Sequence, residues 1–413
     1  MSGCVGINSV SVSASCNGTL INTEISYDSG VTYESILNKT GPWFFADSIQ
    51  PDNELKIRAT ITRPNCNTQY VTSSYYPDEE CVYTKNYLGI TLDAGSDKEV
   101  VLPITPFEDE NGIQSYTVDW GDGNVETLTN QDAYHTYVST GSYNTKVTGK
   151  FDKLDYPKEE ITQAFRNKVK KIYNWGPNMP LTYHLSKCPN LTVTATDLLN
   201  TSRLTTISRI FSECTSVNSV PRIGEWDMSR FTSLSGMFFR SGFDGDLSNW
   251  DVSSVKNMLF LFRESNFNNG GNDLIKNWNT TSLQRVEQMF YNAKKFNQPL
   301  TNWDTSNVLN FSEWFYGASS FNQDLSNLSL ENVFSAYSST LLSNSFENAF
   351  SYSGLDPNNY DKLLIRLASE AQTHNKRYII LGAHELKHTS AGLSARNTLV
   401  NTLGWSITDA GQI

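Results

Sequence analysis

Asn302-Trp303-Asp304-Thr305-Ser306-Asn307-Val308, followed by Trp314-Phe315-Tyr316-Gly317-Ala318-Ser319-Ser320-Phe321-Asn322-Gln323-Asp324-Leu325, is the stretch on which the reading of this chain turns. Its parts recur. Phe315 has counterparts at Phe211, Phe238, Phe262, Phe290 and Phe350, at steps of 24 to 28 residues and a last step of 35. Five or six residues on, a second column reads Val217, Phe243, Phe267, Phe296, Phe321 and Leu355. A tryptophan column reads Trp226, Trp250, Trp278 and Trp303, with Leu328 in the last place, and Asp227, Asp251, Asn279 and Asp304 follow it. Apolar residues then fall at every third position: Phe231/Leu234/Met237, Val255/Met258/Leu261, Leu283/Val286/Met289 and Val308/Phe311/Trp314. Residues at equivalent repeat positions stack on their neighbours, and one repeat alone cannot bury such side chains. The period therefore predicts a solenoid over 204–355. Its Phe and Trp columns read as core rather than as a sugar-binding track. The Asp or Asn after each Trp is expected to cap a turn, and side-chain amides to form ladders.

The repeat resembles the BspA-like leucine-rich repeats of bacterial and phage surface proteins, on the N-W-D-x-S-x-V and F-N-Q-x-L elements quoted above. That resemblance implies adhesion and ligand binding and names no ligand. Downstream, Tyr360, Leu363, Leu364, Leu367 and Ala371 sit at helical spacing. Arg377 to Ala383 reads as a strand, Ala391 to Leu403 as a second helix ended by Gly404, and Trp405 to Asp409 as a last strand. Residues 356–413 thus form an α/β cap over the open end of the array.

Upstream, 1–85 shows period-two runs at Ser9–Ser13, Leu20–Ile25 and Leu55–Ile61, broken by Gly, Pro and Asn. This predicts an immunoglobulin-like or fibronectin-like sandwich. In 86–150, Tyr116-Thr117-Val118-Asp119-Trp120-Gly121-Asp122-Gly123 runs a strand into a tight turn. His135-Thr136-Tyr137 and Gly141-Ser142-Tyr143 follow, ending in Val147. In that order these elements resemble the PKD domain, a small β-sandwich. Asp119 and Asp122 are expected to cap the turn, with a Ca²⁺ site as the alternative. The expected class is a multidomain, β-rich chain: sandwiches at 1–85 and 86–150, a leucine-rich-repeat solenoid at 151–355 with irregular coils to 203, and the cap.

Charged residues are 18% of the chain and the net charge is −11, with −7 of it in 86–150. No segment is basic enough to neutralise a phosphate backbone, so nucleic-acid binding is not expected. The short basic run Arg166, Lys168, Lys170, Lys171 reads as a solvated face. Neither a long apolar run nor a signal-peptide pattern occurs, so membrane insertion is not expected. Cys4, Cys16, Cys66 and Cys81 could form two disulfides or stay free; their spacing does not suit zinc. Cys188 and Cys214, one repeat apart, read as stacked core residues.

One motif argues for an enzyme. His384-Glu385-Leu386-Lys387-His388 matches H-E-x-x-H, which on a helix holds zinc between two histidines with Glu as general base. The preceding strand and the missing third ligand oppose it, so no cofactor and no catalytic residue is expected. Candidate ligand contacts are the polar positions between the apolar triplets: Lys256, Asn257, Gln284, Arg285, Glu287 and Asn310, with a merely solvated face as the alternative. The layout suggests a non-enzymatic bacteriophage virion protein, a tail-fibre, receptor-binding or capsid-decoration component. Its N-terminal domain would dock on other virion proteins and its solenoid would meet a host surface protein or polysaccharide, as a monomer or a homo-oligomer. A bacterial cell-surface adhesin is the second reading and a zinc metalloprotease the third.

Overall fold

The computed structural model describes residues 19–26, 34–35, 55–63, 66–75, 87–176, 180–333 and 344–413. The fold is β-rich, with few helices and several small sheets. The chain divides into two units, Met1–Tyr83 and Thr84–Ile413.

In the first unit, β1 (Thr19–Ser26), β2 (Glu34–Ser35), β3 (Leu55–Arg63) and β4 (Cys66–Tyr75) form one antiparallel sheet in the order β2-β1-β3-β4. Two of the alternating runs thus lie in strands, with Ile25 opposite Ile57. The run at Ser9–Ser13, and Cys4, Cys16 and Cys81, lie outside the described residues.

The second unit opens with β5 (Leu88–Asp93), β6 (Glu99–Leu102), β7 (Ile104–Pro106), β8 (Glu108–Asp109), β9 (Gly112–Ile113), β10 (Tyr116–Asp119), β11 (Val125–Leu128), β12 (Ala133–Thr136), β13 (Ser142–Gly149) and β14 (Phe151–Asp155). A one-turn helix α1 (Gln163–Arg166), β15 (Val169–Asn174), β16 (Thr182–His184) and β17 (Thr192–Val193) follow. The main sheet runs β11-β10-β13-β5-β15-β17. It continues past residue 150, where a domain boundary was expected. The reason lies in β5. Its residues Leu88 to Leu92 are all buried, and β13 covers only one of its edges. β15 takes the other edge, which a free-standing sandwich would leave open, and β17 extends the sheet in parallel.

The turn after β10 is built as its residues dictate. Gly121 and Gly123 take positive φ, 80° and 98°, which glycine adopts without a Cβ clash. Trp120 is fully buried, stacked on His135 at 4.7 Å, and Tyr137 Oη donates to the Trp120 carbonyl at 2.8 Å.

From Ser208 onward, successive repeats lie against one another in register. The Phe column is continuous, with ring centroids 5.8 Å apart for Phe238–Phe262 and Phe262–Phe290, 5.3 Å for Phe290–Phe315 and 6.1 Å for Phe315–Phe350. Phe243, Phe267, Phe296 and Phe321 form the parallel column, each lying on the first-column ring of its own repeat, as Phe267 does on Phe262 at 3.6 Å. All these rings are fully buried. Trp250, Trp278 and Trp303 stack at 6.5 and 5.9 Å. Their indole N–H groups donate to Ile223, Leu247 and Ile275, each one repeat back. Trp226 heads the series; its indole N–H is buried without a partner. Asp227, Asp251, Asn279 and Asp304 each accept the N–H two residues on, the expected turn caps. Cys188 and Cys214 are free and buried, and burial pushes the Cys214 thiol up to about 12.

Repeats pair without strand ladders. Around Phe262 the N–H groups of Met258, Phe260, Phe262 and Glu264 donate to Arg285, Glu287, Met289 and Tyr291, one repeat on, while Leu261, Arg263 and Ser265 bond three residues back. This alternation needs left-handed backbone at two positions four residues apart: Arg209/Glu213, Gly236/Arg240, Phe260/Glu264, Gln288/Asn292, Glu313/Gly317 and Asn348/Tyr352. A non-glycine residue there costs roughly 1–2 kcal/mol. The inter-repeat bonds offset that cost, because they pair backbone groups that would otherwise be buried without partners.

An amide ladder runs beside the rings. Asn268 Oδ1 accepts the Asn297 N–H, Asn297 Oδ1 the Asn322 N–H, and Asn322 Oδ1 the Asp356 N–H, at 2.8 to 3.0 Å. Asp356 in turn accepts from Asn359 N–H and caps α2 (Pro357–Thr373), where Pro357 suits the first turn. The ladder thus ends in a helix cap. α2 buries Tyr360, Leu363, Leu364, Leu367 and Ala371 as its periodicity predicts. β18 (Ile380–Gly382) pairs in parallel with β19 (Ser406–Thr408) and receives the Phe350 N–H, prolonging the repeat pairing. The helix expected over 391–403 is shorter. α3 (Ser390–Asn397) gives way to a π-helical turn, Thr398–Thr402, before Gly404 at φ 72°.

Candidate binding face

Five of the six polar positions singled out from the sequence fall on one line, and Glu287 lies two residues beyond it. Ser233, Asn257, Arg285 and Asn310 are joined successively by parallel single-residue bridges, with Lys256 and Gln284 beside them. The repeat pairing brings them together, yet their side chains differ in role. Asn257 Oδ1 accepts from Leu259 N–H at 2.9 Å and Asn310 Oδ1 from Ser312 N–H at 2.8 Å, so both amides shape their own turns. Glu287 holds Arg285 at 3.2 Å and is largely buried. Lys256, Gln284 and Arg285 remain exposed. The line therefore reduces to three outward-reaching side chains on a framework of turn-forming ones.

A second outward column escaped the sequence reading. It begins one residue after each buried Phe: Phe239, Arg263, Tyr291 and Tyr316, then Tyr352. The Arg263 guanidinium lies 5.8 Å from the Phe239 ring and 4.3 Å from the Tyr291 ring. Tyr291 and Tyr316 stack at 4.7 Å with their planes 10° apart. Tyr352 meets Tyr316 edge-on at 5.4 Å and stacks on His384 at 5.6 Å. Glu264 binds both Arg240, at 2.8 Å, and Arg263, at 3.1 Å. Partial burial opposes the Glu264 charge, but these two arginines outweigh it and hold the carboxyl below the usual range. Partial burial, with Tyr291, Tyr352 and Glu313 beside it, pushes the Tyr316 hydroxyl up. The signal was present in the sequence. In Phe238-Phe239, Phe290-Tyr291 and Phe315-Tyr316 the first aromatic fills the core position of its repeat and the second, next along the chain, is left at the surface.

The H-E-x-x-H residues do not share a helical face. Glu385 has φ 69°, His384 Nδ1 lies 2.9 Å from Ser351 Oγ, and His388 is buried with Nδ1 3.0 Å from the Thr389 carbonyl. The backbone is committed elsewhere: the His384 carbonyl takes the Tyr352 N–H and the His388 N–H reaches Gly411. Among the described residues no three His, Cys, Asp or Glu side chains are grouped to hold a metal. Ser351 beside His384 is fully buried, so that hydroxyl is closed to a substrate. Asp119 Oδ1 accepts from Gly121 N–H, and Asp122 accepts from Asn124 N–H and lies 2.9 Å from His135 Nε2. Burial works against the Asp122 charge, but Asn124 and His135 hold its carboxyl low. Both carboxylates serve the turn.

No helix of the described residues is long and apolar enough to cross a membrane. No curated protein and no solved structure matches the chain. A family described as "Mycoplasma protein of unknown function, DUF285" matches twice, at residues 180–273 and 266–353. That family is one of BspA-like surface repeats, and the two matched stretches are similar to it over the segment where the Phe and Trp columns lie.

Proposed function

We propose that residues 204–355 are a leucine-rich-repeat solenoid of BspA type, and that the protein is a non-enzymatic adhesion component that binds a cell surface through the side of this array. One observation carries the reading. Each repeat is hydrogen-bonded in register to the next, and its large aromatics are spent on the core. Whatever the outward positions carry is therefore displayed as a periodic, rigid line, which suits recognition more than catalysis. The 86–150 segment is read as a PKD-like spacer, supported by the buried Trp120 and its glycine turn. The proposed setting is a bacteriophage virion, as a tail-fibre, receptor-binding or decoration component, with the N-terminal unit bound to other virion proteins. The match to a family named for Mycoplasma favours a second setting, a bacterial cell surface. Immunogold labelling of purified particles and of intact cells separates the two.

The adhesive reading is tested with labelled full-length protein on a panel of bacteria. Saturable binding is expected, weakened by Lys256→Ala/Gln284→Ala/Arg285→Ala at an unchanged melting temperature. Unchanged binding removes this line from the contact surface; absence of binding to any surface removes the adhesive reading.

A further inference from the structure

The column Phe239, Arg263, Tyr291, Tyr316, Tyr352 offers one station per repeat along the axis of the array, with neighbours 4.3 to 5.8 Å apart. We propose that this column is the binding strip for an extended, uncharged, β-linked polysaccharide lying along the repeats. The proposal deepens the adhesive reading above and rests on it.

Spacing selects the polymer. A station every 5 Å or so is close to the length of one sugar ring in an extended β-linked chain, so such a chain keeps step with the repeats. An extended peptide advances about 3.3 Å per residue, so about three residues span two stations, their side chains alternate between two faces, and it cannot place one equivalent unit at every station. Charge selects the uncharged class. Arg240 and Arg263, the cations of the strip, are both engaged by Glu264, and Glu313 adds a second carboxylate beside Gln288. A strip so balanced has no attraction for an anionic polymer.

Chemistry selects a polyol. Because Tyr291 and Tyr316 stack face to face, they turn edges and hydroxyls outward rather than open faces. The hydroxyls of Tyr291, Tyr316 and Tyr352 form no hydrogen bond to protein among the described residues. Three such groups in a row, on rings already ordered by stacking, can exchange hydrogen bonds with successive sugars at little further loss of side-chain freedom.

The experiment uses the full chain and defined oligosaccharides. Cello- and chito-oligosaccharides of two to six units are titrated by calorimetry, beside α-1,6-linked dextran oligomers and polygalacturonate. The wild type is compared with Tyr291→Phe/Tyr316→Phe/Tyr352→Phe, which keeps every ring stack and removes only the hydroxyls. Affinity for a neutral β-linked series should rise with length and fall at least tenfold in the triple variant, at an unchanged melting temperature. No binding of a neutral β-linked oligomer, equal binding of dextran or polygalacturonate, or a triple variant that binds as wild type would each overturn the proposal. If the triple variant also adheres to cells as the wild type does, the strip fails while adhesion stands. A wild type that adheres to no surface fails the adhesive reading itself.

Discussion

If the repeats act as a stack, Phe262 and Phe290 should be energetically coupled and distant rings should not. Their centroids lie 5.8 Å apart with planes 15° from parallel, on adjacent repeats, and both side chains are fully buried. Replacing either by leucine keeps an apolar side chain but removes half of the aromatic pair. Each single change is expected to cost about 1–2 kcal/mol, within the range of core substitutions that leave a small void. An aromatic pair is worth about 0.5–1.5 kcal/mol beyond its buried area. Phe262→Leu/Phe290→Leu should therefore cost less than the sum of the singles by roughly that amount, because the second change has no pair left to break. Phe211 and Phe315 are separated by the rings of three intervening repeats. Their leucine replacements should add to within about 0.3–0.5 kcal/mol. Urea unfolding followed by tryptophan fluorescence reads this region, since Trp226, Trp250, Trp278, Trp303 and Trp314 all lie in it. Additivity in the adjacent pair, or equal coupling in the distant one, would refute nearest-neighbour stacking.

Three further outcomes are expected. Asn297→Ala removes the acceptor of Asn322 N–H and one of the two acceptors of Gln323 Nε2 but leaves an exposed site that water can enter, so a urea midpoint shift equivalent to about 1 kcal/mol is predicted; no shift would make the ladder decorative. Acid should destabilise both the cap and the sheet at β14: burial opposes the Asp409 charge in the cap, but the paired Arg396 bonds at 2.8 and 2.9 Å and the Tyr360 hydroxyl hold its carboxyl below the ordinary value, and in β14 the His184 bond holds Asp155 low likewise. Groups so depressed stabilise fully above the unfolded carboxylate value near 4, and lose that contribution as pH falls through the lower folded value. Melting temperature should thus drop below about pH 4, less steeply in Asp409→Asn, and a variant with an unaltered pH profile would exclude Asp409 as a source. Finally, zinc or a chelator should leave the melting temperature unchanged, and stoichiometric zinc lost on His384→Ala/His388→Ala would revive the protease reading.

The core was legible because it is periodic. A Phe or Trp every 24 to 28 residues has only its counterparts to lie on, and the Asp after each Trp declares a turn. The backbone was not. Left-handed positions fall on Arg209, Phe260, Gln288 and Glu313, residues with no local preference for them, and only the bonds between repeats hold them there. The outward aromatics were hidden by the inward ones, and Arg263 interrupts their column in the sequence while continuing it in space. The expected boundary at 150 missed β15, because the open edge of β5 has no sequence signature. The H-E-x-x-H match shows the converse: spacing predicts a metal site only if the backbone is helical, and here Tyr352 and Gly411 claim that backbone for pairing.

The central claim is that the outward lines of the array make the contact with a surface. Its most direct test is the saturable binding of labelled full-length protein to bacterial cells, with the wild type set against a variant that combines the Lys256, Gln284 and Arg285 alanines with the three Tyr→Phe changes. The account predicts that the wild type binds and that the combined variant, melting at the same temperature, binds at least tenfold more weakly. Equal binding by the two proteins would contradict it.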